Sequence, residues 1–466
     1  MTELQYDLAV IGSGPGGYVA AIRASQLGLK TVCIEKRDLG GVCLNIGCIP
    51  TKALLKSAEY MHFLNHSSDF GFNISNTEVD FPKVIDRSRK VAGQMSKGVS
   101  MLFKKYKVDA IFGTAKIADK NTINVYDKEN NLMNNITANN IIIATGARPK
   151  VLPGIEVDKK NLMTSTEALF RQDIPKSLIV MGAGAIGVEF AYFYNAFGTK
   201  VTIIEYMDRI LPIEDADISK ELERHFRKYG ITLKTKTKVV SAKPTENGVE
   251  IITESDGKTE TLTADAALNA IGIQANIENI GLENAGVVTE RGFIKVDKHC
   301  KTNIDGIYAI GDVAGAPWLA HKASAEAIAV AEHIAGHHSD GIDYNNIPGC
   351  TYCNPQVASI GLTEEKAKAA GYELKIGKFP FTASGKAHGI GEAKGFVKLI
   401  FDAKYGELLG AHMIGPDVTE MIAELGLAKT LEATAPTIFK TIHAHPTLSE
   451  AVMEAAAQAY GEAVNI

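Results

Sequence analysis

Cysteine is scarce in this chain, with six among 466 residues: Cys33, Cys43, Cys48, Cys300, Cys350 and Cys353. They are too few and too scattered for a disulfide scaffold. A strong charge of either sign is also missing. Lys and Arg number 49 against 54 Asp and Glu, a formal net charge of −5, with the signs interspersed. That leaves no basic footprint for nucleic acid and no polybasic patch for a membrane surface. The opening "MTELQYDLAVIG" has neither the cationic start of a signal peptide nor the Arg-rich pattern of a transit peptide, so the expected location is cytoplasmic. One apolar run, Leu178 to Phe197 "LIVMGAGAIGVEFAYFYNAF", is long enough to resemble a membrane span. Its three close glycines and Glu189 argue against one. What the chain does have is length and 45% hydrophobic residues, enough for several packed domains.

It also has a repeat. "YDLAVIGSGPGGYVAAIRASQLGLKTVCIEK" starts at Tyr6, and "KSLIVMGAGAIGVEFAYFYNAFGTKVTIIEY" starts at Lys176. Each reads as an apolar strand, a G-x-G-x-x-G turn, a helix and a second strand ending in glutamate. Gly12, Gly14 and Gly17 lead to Glu35, and Gly182, Gly184 and Gly187 lead to Glu205 at the same spacing. The first glycine permits the tight turn, the second lets backbone approach a pyrophosphate, and the third lets helix and strand pack closely. Unpaired N–H groups at the helix start face the phosphates, and the glutamate accepts from ribose hydroxyls. One such turn is a weak signal, but two complete units at equal spacing predict an α/β protein that binds two dinucleotides. The second unit is expected to prefer NAD over NADP. Glu205 repels a 2′-phosphate, Tyr206, Met207 and Asp208 supply no cation, and Arg209 reads as a solvated surface residue. "NNIIIATGARP" (Asn139 to Pro149) and "GIYAIGDV" (Gly306 to Val313) read as strands ending in small-residue turns where ligands collect. Alone, Asp312 reads as a helix cap.

"GGVCLNIGCIPTKALL" (Gly40 to Leu55) sets Cys43 and Cys48 five positions apart. Two buried thiols are the ordinary reading. In a regular helix such positions lie about 7.5 Å apart along the axis, beyond comfortable disulfide reach. Gly41 and Gly47 relax the backbone, and Pro50 suits the start of a helix "PTKALLKSAEYM". A strained pair beside a helix N-terminus is easily reduced, and next to a flavin it makes a two-electron relay.

This stretch resembles the redox-disulfide signature of the pyridine nucleotide–disulfide oxidoreductases. With "ATGARP", "GIYAIGD" and the C-terminal "HAHPTLSE", the resemblance covers essentially the whole chain. It implies two Rossmann-like domains, for FAD and NAD, and an α+β C-terminal dimerisation domain. The expected segments are 1–148 and 273–345 for FAD, 149–272 for NAD and 346–466 for the interface. Cys43 is implied as the thiol that exchanges with substrate and Cys48 as the thiolate against the flavin. Lys52, paired with Glu189, is implied near the reactive edge of the ring. Asp312 would bind the ribitol and pyrophosphate region, and Ala320 and His321 would offer backbone N–H groups to the pyrimidine oxygen. Further cofactor contacts are implied at Lys36, Gly41, Val42, Ala115, Ala144, Thr145, Gly146, Trp318, Ile186, Val239 and Gly272. No metal is expected.

"HAHPTLSEAVMEAA" (His443 to Ala456) supports two readings. Thr447 and Glu450 form a capping box before an apolar helix. His445 with Glu450 makes a general base oriented by a carboxylate. The resemblance implies that pair, a cis bond before Pro446, and a base supplied by the partner of a homodimer, with His443 a supporting neighbour. It further implies oxidation of dihydrolipoamide by NAD. The lipoyl groups would belong to a 2-oxoacid dehydrogenase complex, docked at its acyltransferase core, or to the glycine cleavage system. The alternative is a glutathione reductase-like enzyme, which would need an arginine pair where Tyr206 and Pro212 stand. "CTYC" (Cys350 to Cys353) reads as structural, "HIAGHHSDG" (His333 to Gly341) as a solvated loop, and Asn76 to Tyr106 as helical.

Overall fold

The apolar run after Tyr6 forms the middle of a parallel sheet, where both faces must be covered and the strand therefore reads as nearly continuous hydrophobics. Leu8 and Val10 join a core with Ala20, Ala21 and Ala24 of the helix Pro15–Gln26, while Ala9 and Ile11 join a second core with Ile117, Ile123 and Ile136. In this computed structural model residues 3–338 and 340–466 are described, so the first two residues and Ser339 of the histidine-rich stretch lie outside the described residues.

The chain forms two compact units. The first takes the chain up to Leu54, Pro82–Lys150 and Ile273–Ile342. Its sheet runs in parallel through Asp109–Phe112, Thr31–Glu35, Glu3–Ile11, Leu132–Ile143 and Ile307–Ala309. The long strand Leu132–Ile143 also pairs antiparallel with Thr122–Tyr126, which pairs with Thr114–Ile117. The helix Phe81–Lys105 covers less than the expected 76–106, and residues 76–80 before it form no regular element.

The second unit takes Leu55–Phe81, Val151–Gly272 and Asp343–Ile466. Its parallel sheet orders Thr232–Lys234, Lys200–Ile204, Ser177–Met181, Ala266–Asn269 and Leu162–Thr164. The run that resembled a membrane span is the strand Ser177–Met181 and the buried helix Ala185–Ala196, and no helix among the described residues is long and apolar enough to cross a membrane. Phe81 packs on Phe193, Tyr194 and Phe197 of that helical stretch. A second, antiparallel sheet orders Gly349–Thr351, Gln356–Gly361, Leu408–Gly415, Phe396–Asp402 and Leu374–Pro380. The helix Glu450–Gln458 lies on it through Ala451, Val452 and Ala455. Gly377 makes this close approach possible, since a Cβ there would stand 1.7 Å from the Ala455 oxygen.

The strand Phe396–Asp402 is buried on both faces, yet carries Lys398. Its ammonium binds Asp215 Oδ1 at 2.9 Å, Asp217 Oδ2 at 3.1 Å and Glu364 Oε2 at 2.7 Å. Burial alone would raise the Asp215 carboxyl, but Lys398 and the Glu364 N–H outweigh it and hold it below the ordinary range. Glu364 is lowered by Lys368 and Lys398. These groups have depressed folded-state values, so their stabilisation is present above the ordinary carboxylate range and is lost as pH falls through the depressed values. Lys398→Met strands a buried carboxylate and is expected to cost about 3–5 kcal/mol at neutral pH. A denaturant titration of this variant should show the deficit shrinking as the pH is lowered toward 3 or so, whereas a constant deficit would exclude the cluster as its source.

Candidate active site

The first glycine turn is fixed by hydrogen bonds as well as by sterics. Gly12 has φ +98°, and a Cβ there would lie 2.4 Å from the Ala144 oxygen. A Cβ at Gly17 would lie 1.8 Å from the Gly12 oxygen, so helix and strand meet backbone to backbone. Glu35, at the end of the second strand, accepts from Ser13 N at 2.9 Å, Ser13 Oγ at 2.7 Å and Arg37 N at 2.9 Å. The glutamate therefore ties down the turn, and ribose hydroxyls can reach only its remaining lone pairs. Gly14 differs from its neighbours: no heavy atom lies within 4 Å of a Cβ built there. That open space before the N-terminus of Pro15–Gln26 is what a pyrophosphate requires. The residues present fit a dinucleotide.

The cysteine segment is buckled to this turn. Gly40 N donates to the Ser13 oxygen at 3.0 Å, and a Cβ on Gly41 would stand 2.7 Å from Gly14 Cα. Cys43 lies on the short helix Gly41–Ile46, and Cys48 is the first residue of the helix Cys48–Asn65. The helix thus starts two residues before the expected Pro50. Proline is tolerated there because first-turn N–H groups have no helical acceptor. The break at Gly47, φ −148° and ψ −117°, brings the two sulfurs together in a way no continuous helix permits. No disulfide joins them here, and the Cys43 thiol is hydrogen-bonded to Cys48. That bond and burial raise Cys43 above the ordinary thiol range, while the charge of Lys52 pulls it down.

Around them, Ala144, Thr145 and Gly146 follow the strand Leu132–Ile143, locked by Thr145 Oγ1 donating to the Asn276 oxygen at 2.7 Å and Asn276 Nδ2 donating to the Thr145 oxygen at 2.9 Å. Asp312 lies in the one-turn 3-10 helix Gly311–Ala314 rather than capping the next helix, and burial raises its carboxyl. Ala320 and His321 open the helix Ala320–Ile334. Trp318 is half-exposed and stacks on Phe293, with ring centroids 6.0 Å apart. Ala115 is buried in its strand, and Lys36 and Val42 are exposed.

The second glycine turn repeats the first. A Cβ at Gly187 would meet the Gly182 oxygen at 2.0 Å, and Gly184 faces open space. Glu205 accepts from Ala183 N at 2.7 Å and Met207 N at 2.8 Å. Ile186 is exposed on the helix start, Gly272 has φ +135°, and Val239 sits at a strand irregularity. Buried Glu189 accepts from Tyr352 N at 3.0 Å. Arg209 lies at the surface, as expected, but it is not a lone cation: its guanidinium forks onto exposed Glu365 at 3.1 and 2.9 Å. That fork neutralises the cation nearest in sequence to Glu205.

At the C-terminus, His445 Nδ1 meets Glu450 Oε1 at 2.8 Å, and the bond before Pro446 is cis. The other Glu450 oxygen accepts from Thr447 N at 2.7 Å. Only half of the expected capping box forms: Ser449, not Thr447, precedes the helix Glu450–Gln458, and the Thr447 hydroxyl donates to the Ala444 oxygen. Burial would raise Glu450, but Thr447 and His445 outweigh it, and the carboxyl is lowered. Glu450 is thus an anion able to orient the imidazole and stabilise its cation, while the outer side of His445 stays exposed. His443 is engaged elsewhere, its Nε2 2.7 Å from Glu424 Oε1.

Residues 6–327 match the pyridine nucleotide-disulphide oxidoreductase family, and residues 347–456 match the dimerisation domain of that family. The chain belongs to the pyridine nucleotide-disulphide oxidoreductases. It is 50% identical over 476 aligned residues to a dihydrolipoyl dehydrogenase of Rhizobium etli, covering 99% of each chain. A dihydrolipoyl dehydrogenase of Bacillus subtilis is 48% identical over 470 residues, again covering 99% of each. Among solved structures, LpdA of Mycobacterium tuberculosis superposes with TM-score 0.90 at 26% identity, over 97% of this chain and 99% of that one. The HOCl-induced flavoprotein disulfide reductase RclA of Escherichia coli gives 0.86 at 29%, over 97% and 99%. As an oxidoreductase of this family the chain uses FAD and NAD, and its dimerisation domain makes it a homodimer.

Sequence reasoning missed Ser13, which joins the glycine turn to the cysteine segment, and the buried Lys322–Glu326 pair beside Asp312. The second was detectable as a Lys and a Glu four positions apart on one face of an alanine-rich helix. The contrast between Gly14 and Gly17 gives a prediction. Gly17→Ala collides with the Gly12 oxygen and should lose both FAD and thermal stability. Gly14→Val adds a Cβ that meets no atom beyond its own chain neighbours, so the apoprotein should melt close to wild type while flavin affinity falls by about tenfold or more. Absorbance ratios and melting curves of the two variants check this, and equal flavin content in Gly14→Val and wild type would refute it.

Proposed function

We propose that this chain oxidises dihydrolipoamide with NAD, passing the electron pair through a Cys43–Cys48 disulfide. The observation that carries the reading is the thiol contact between these two residues on a segment buckled to the first dinucleotide turn. His445 of one protomer, held by Glu450, takes a proton from a substrate thiol at the partner's cysteine pair. The substrate thiolate attacks the Cys43 sulfur, and Cys48 leaves as a thiolate, favoured by its place at the start of an 18-residue helix. The second substrate thiol then displaces Cys43, which closes lipoamide and leaves both cysteines reduced. Bound FAD supplies the two-electron acceptor that restores the disulfide, with NAD the final acceptor. Lys52 places positive charge near the pair, and Gly12, Gly14, Gly17 and Asp312 hold the FAD. Glu205 accepts from the NAD ribose, with Glu189, Ile186, Val239 and Gly272 around that site. The lipoyl donor belongs to a cytoplasmic 2-oxoacid dehydrogenase or glycine cleavage complex.

The deciding experiment is anaerobic. Dihydrolipoamide and reduced glutathione are each mixed with the holoprotein and NAD or NADP, and reduced nicotinamide is followed by absorbance. Turnover with dihydrolipoamide and NAD alone supports the reading, and glutathione-dependent turnover with NADP overturns it. Cys43→Ser should abolish dihydrolipoamide turnover. His445→Gln should lower kcat by about 10²–10⁴-fold.

Glu450 gives a second test. Its value is depressed, so in wild type it remains ionised well below neutrality and holds the imidazole through Nδ1. Glu450→Gln removes that anion, so the kcat/KM maximum should fall while the melting temperature stays near that of wild type. A fall in rate matched by a loss of thermal stability would show that Glu450 acts only on the fold of the C-terminal helix.

A further inference from the structure

The helix Ala320–Ile334 carries a lysine and a glutamate that the reaction above does not use. Lys322 Nζ and Glu326 Oε1 are 3.0 Å apart, with both side chains 1% exposed. A buried pair of this kind gives weak stability for its desolvation cost, so its retention calls for another account. Its remaining bonds supply one. The lysine donates to the Gly311 oxygen at 3.1 Å and the Gly315 oxygen at 3.0 Å. With Glu326, this satisfies its three N–H donors. The other Glu326 oxygen accepts from Gly311 N at 2.7 Å. The turn Gly311–Gly315 is therefore gripped at both ends by a neutral pair. Gly311 and Gly315 have φ +73° and +110°, which glycine enters and leaves freely, so the two grips fix a turn that its own residues leave loosely specified. Between the two grips stands Asp312.

We propose that Lys322 and Glu326 are positioning residues for flavin binding, acting through Asp312 by clamping the turn that presents its carboxylate. The inference rests on reading the Gly12 unit as the FAD site. The ammonium also acts on that carboxylate directly. Burial raises the Asp312 carboxyl, Lys322 lowers it and Glu326 raises it, so the lysine favours the anion that would accept from ribityl hydroxyls. The ordinary alternative is that the pair only plugs the core between helix and turn. In that case its removal would loosen the protein to the same degree whether or not Asp312 carries a carboxylate.

A double-mutant cycle separates the two. Lys322→Met with Glu326→Gln removes both charges and strands neither, and is compared in the wild-type and Asp312→Asn backgrounds. Each apoprotein is titrated with FAD, and flavin fluorescence quenching gives the dissociation constant. NAD binding and apoprotein melting report whether the chain has folded. In the wild-type background the charge-free pair should weaken FAD binding by about tenfold. In the Asp312→Asn background the further loss should be less than about threefold. Equal losses in both backgrounds, or none in either, overturn the proposal. If a charge-free variant fails to fold, Glu326→Gln alone, which keeps an acceptor for Gly311 N, is carried through the same cycle with the same criteria. A wild-type apoprotein that takes up no FAD would instead refute the functional reading on which the inference rests.

Discussion

The first unit depends on one backbone approach, that of Gly40 and Gly41 against Ser13 and Gly14. A turn that must leave room for a pyrophosphate has few side chains with which to hold itself, and Ser13 is one of them. It is held instead by Glu35 from one side and by the cysteine segment from the other. Because Ser13 joins both, the sulfur pair inherits the position of the dinucleotide turn. The proposed relay and the proposed cofactor turn are thereby one piece of structure, which would keep the distance between sulfur and cofactor constant.

The same economy recurs across the chain. Glutamates that read as ribose acceptors also pin their own glycine turns, and Glu450 holds both a backbone N–H and an imidazole. Carboxylates suit this because each has two oxygens and about four lone-pair sites, so one group can anchor backbone and still face a ligand. Lys398 and Lys322 are the cationic counterparts, each satisfying several acceptors at once where water is excluded.

Much of the fold was legible because its signals are local and repeated. The two glycine turns, their strands and their terminal glutamates follow a spacing fixed by strand rise, helix pitch and the size of a pyrophosphate. The helix edges were less legible. Pro50 marked a start that lies at Cys48, since proline is allowed anywhere in a first turn. Thr447 and Glu450 matched a capping box of which half forms, because the helix begins at Glu450 with Ser449 before it, so Thr447 does not stand at the cap.

The sequence by itself determined the chemistry available: two dinucleotide units, one close cysteine pair, and a histidine with a carboxylate five positions on. These follow from residue type and short spacing, which a linear reading contains. Tertiary structure alone decided which groups share charge. Arg209 reads as a solvated surface residue, and only the fold shows that Glu365, far along the chain, takes its guanidinium. Asp215 caps the helix Ala216–Lys228 from nearby in sequence, but the ammonium of Lys398, which it also binds, arrives from a strand of the antiparallel sheet. Electrostatic partnership depends on distance in space and on the exclusion of water, and neither is written in the order of residues.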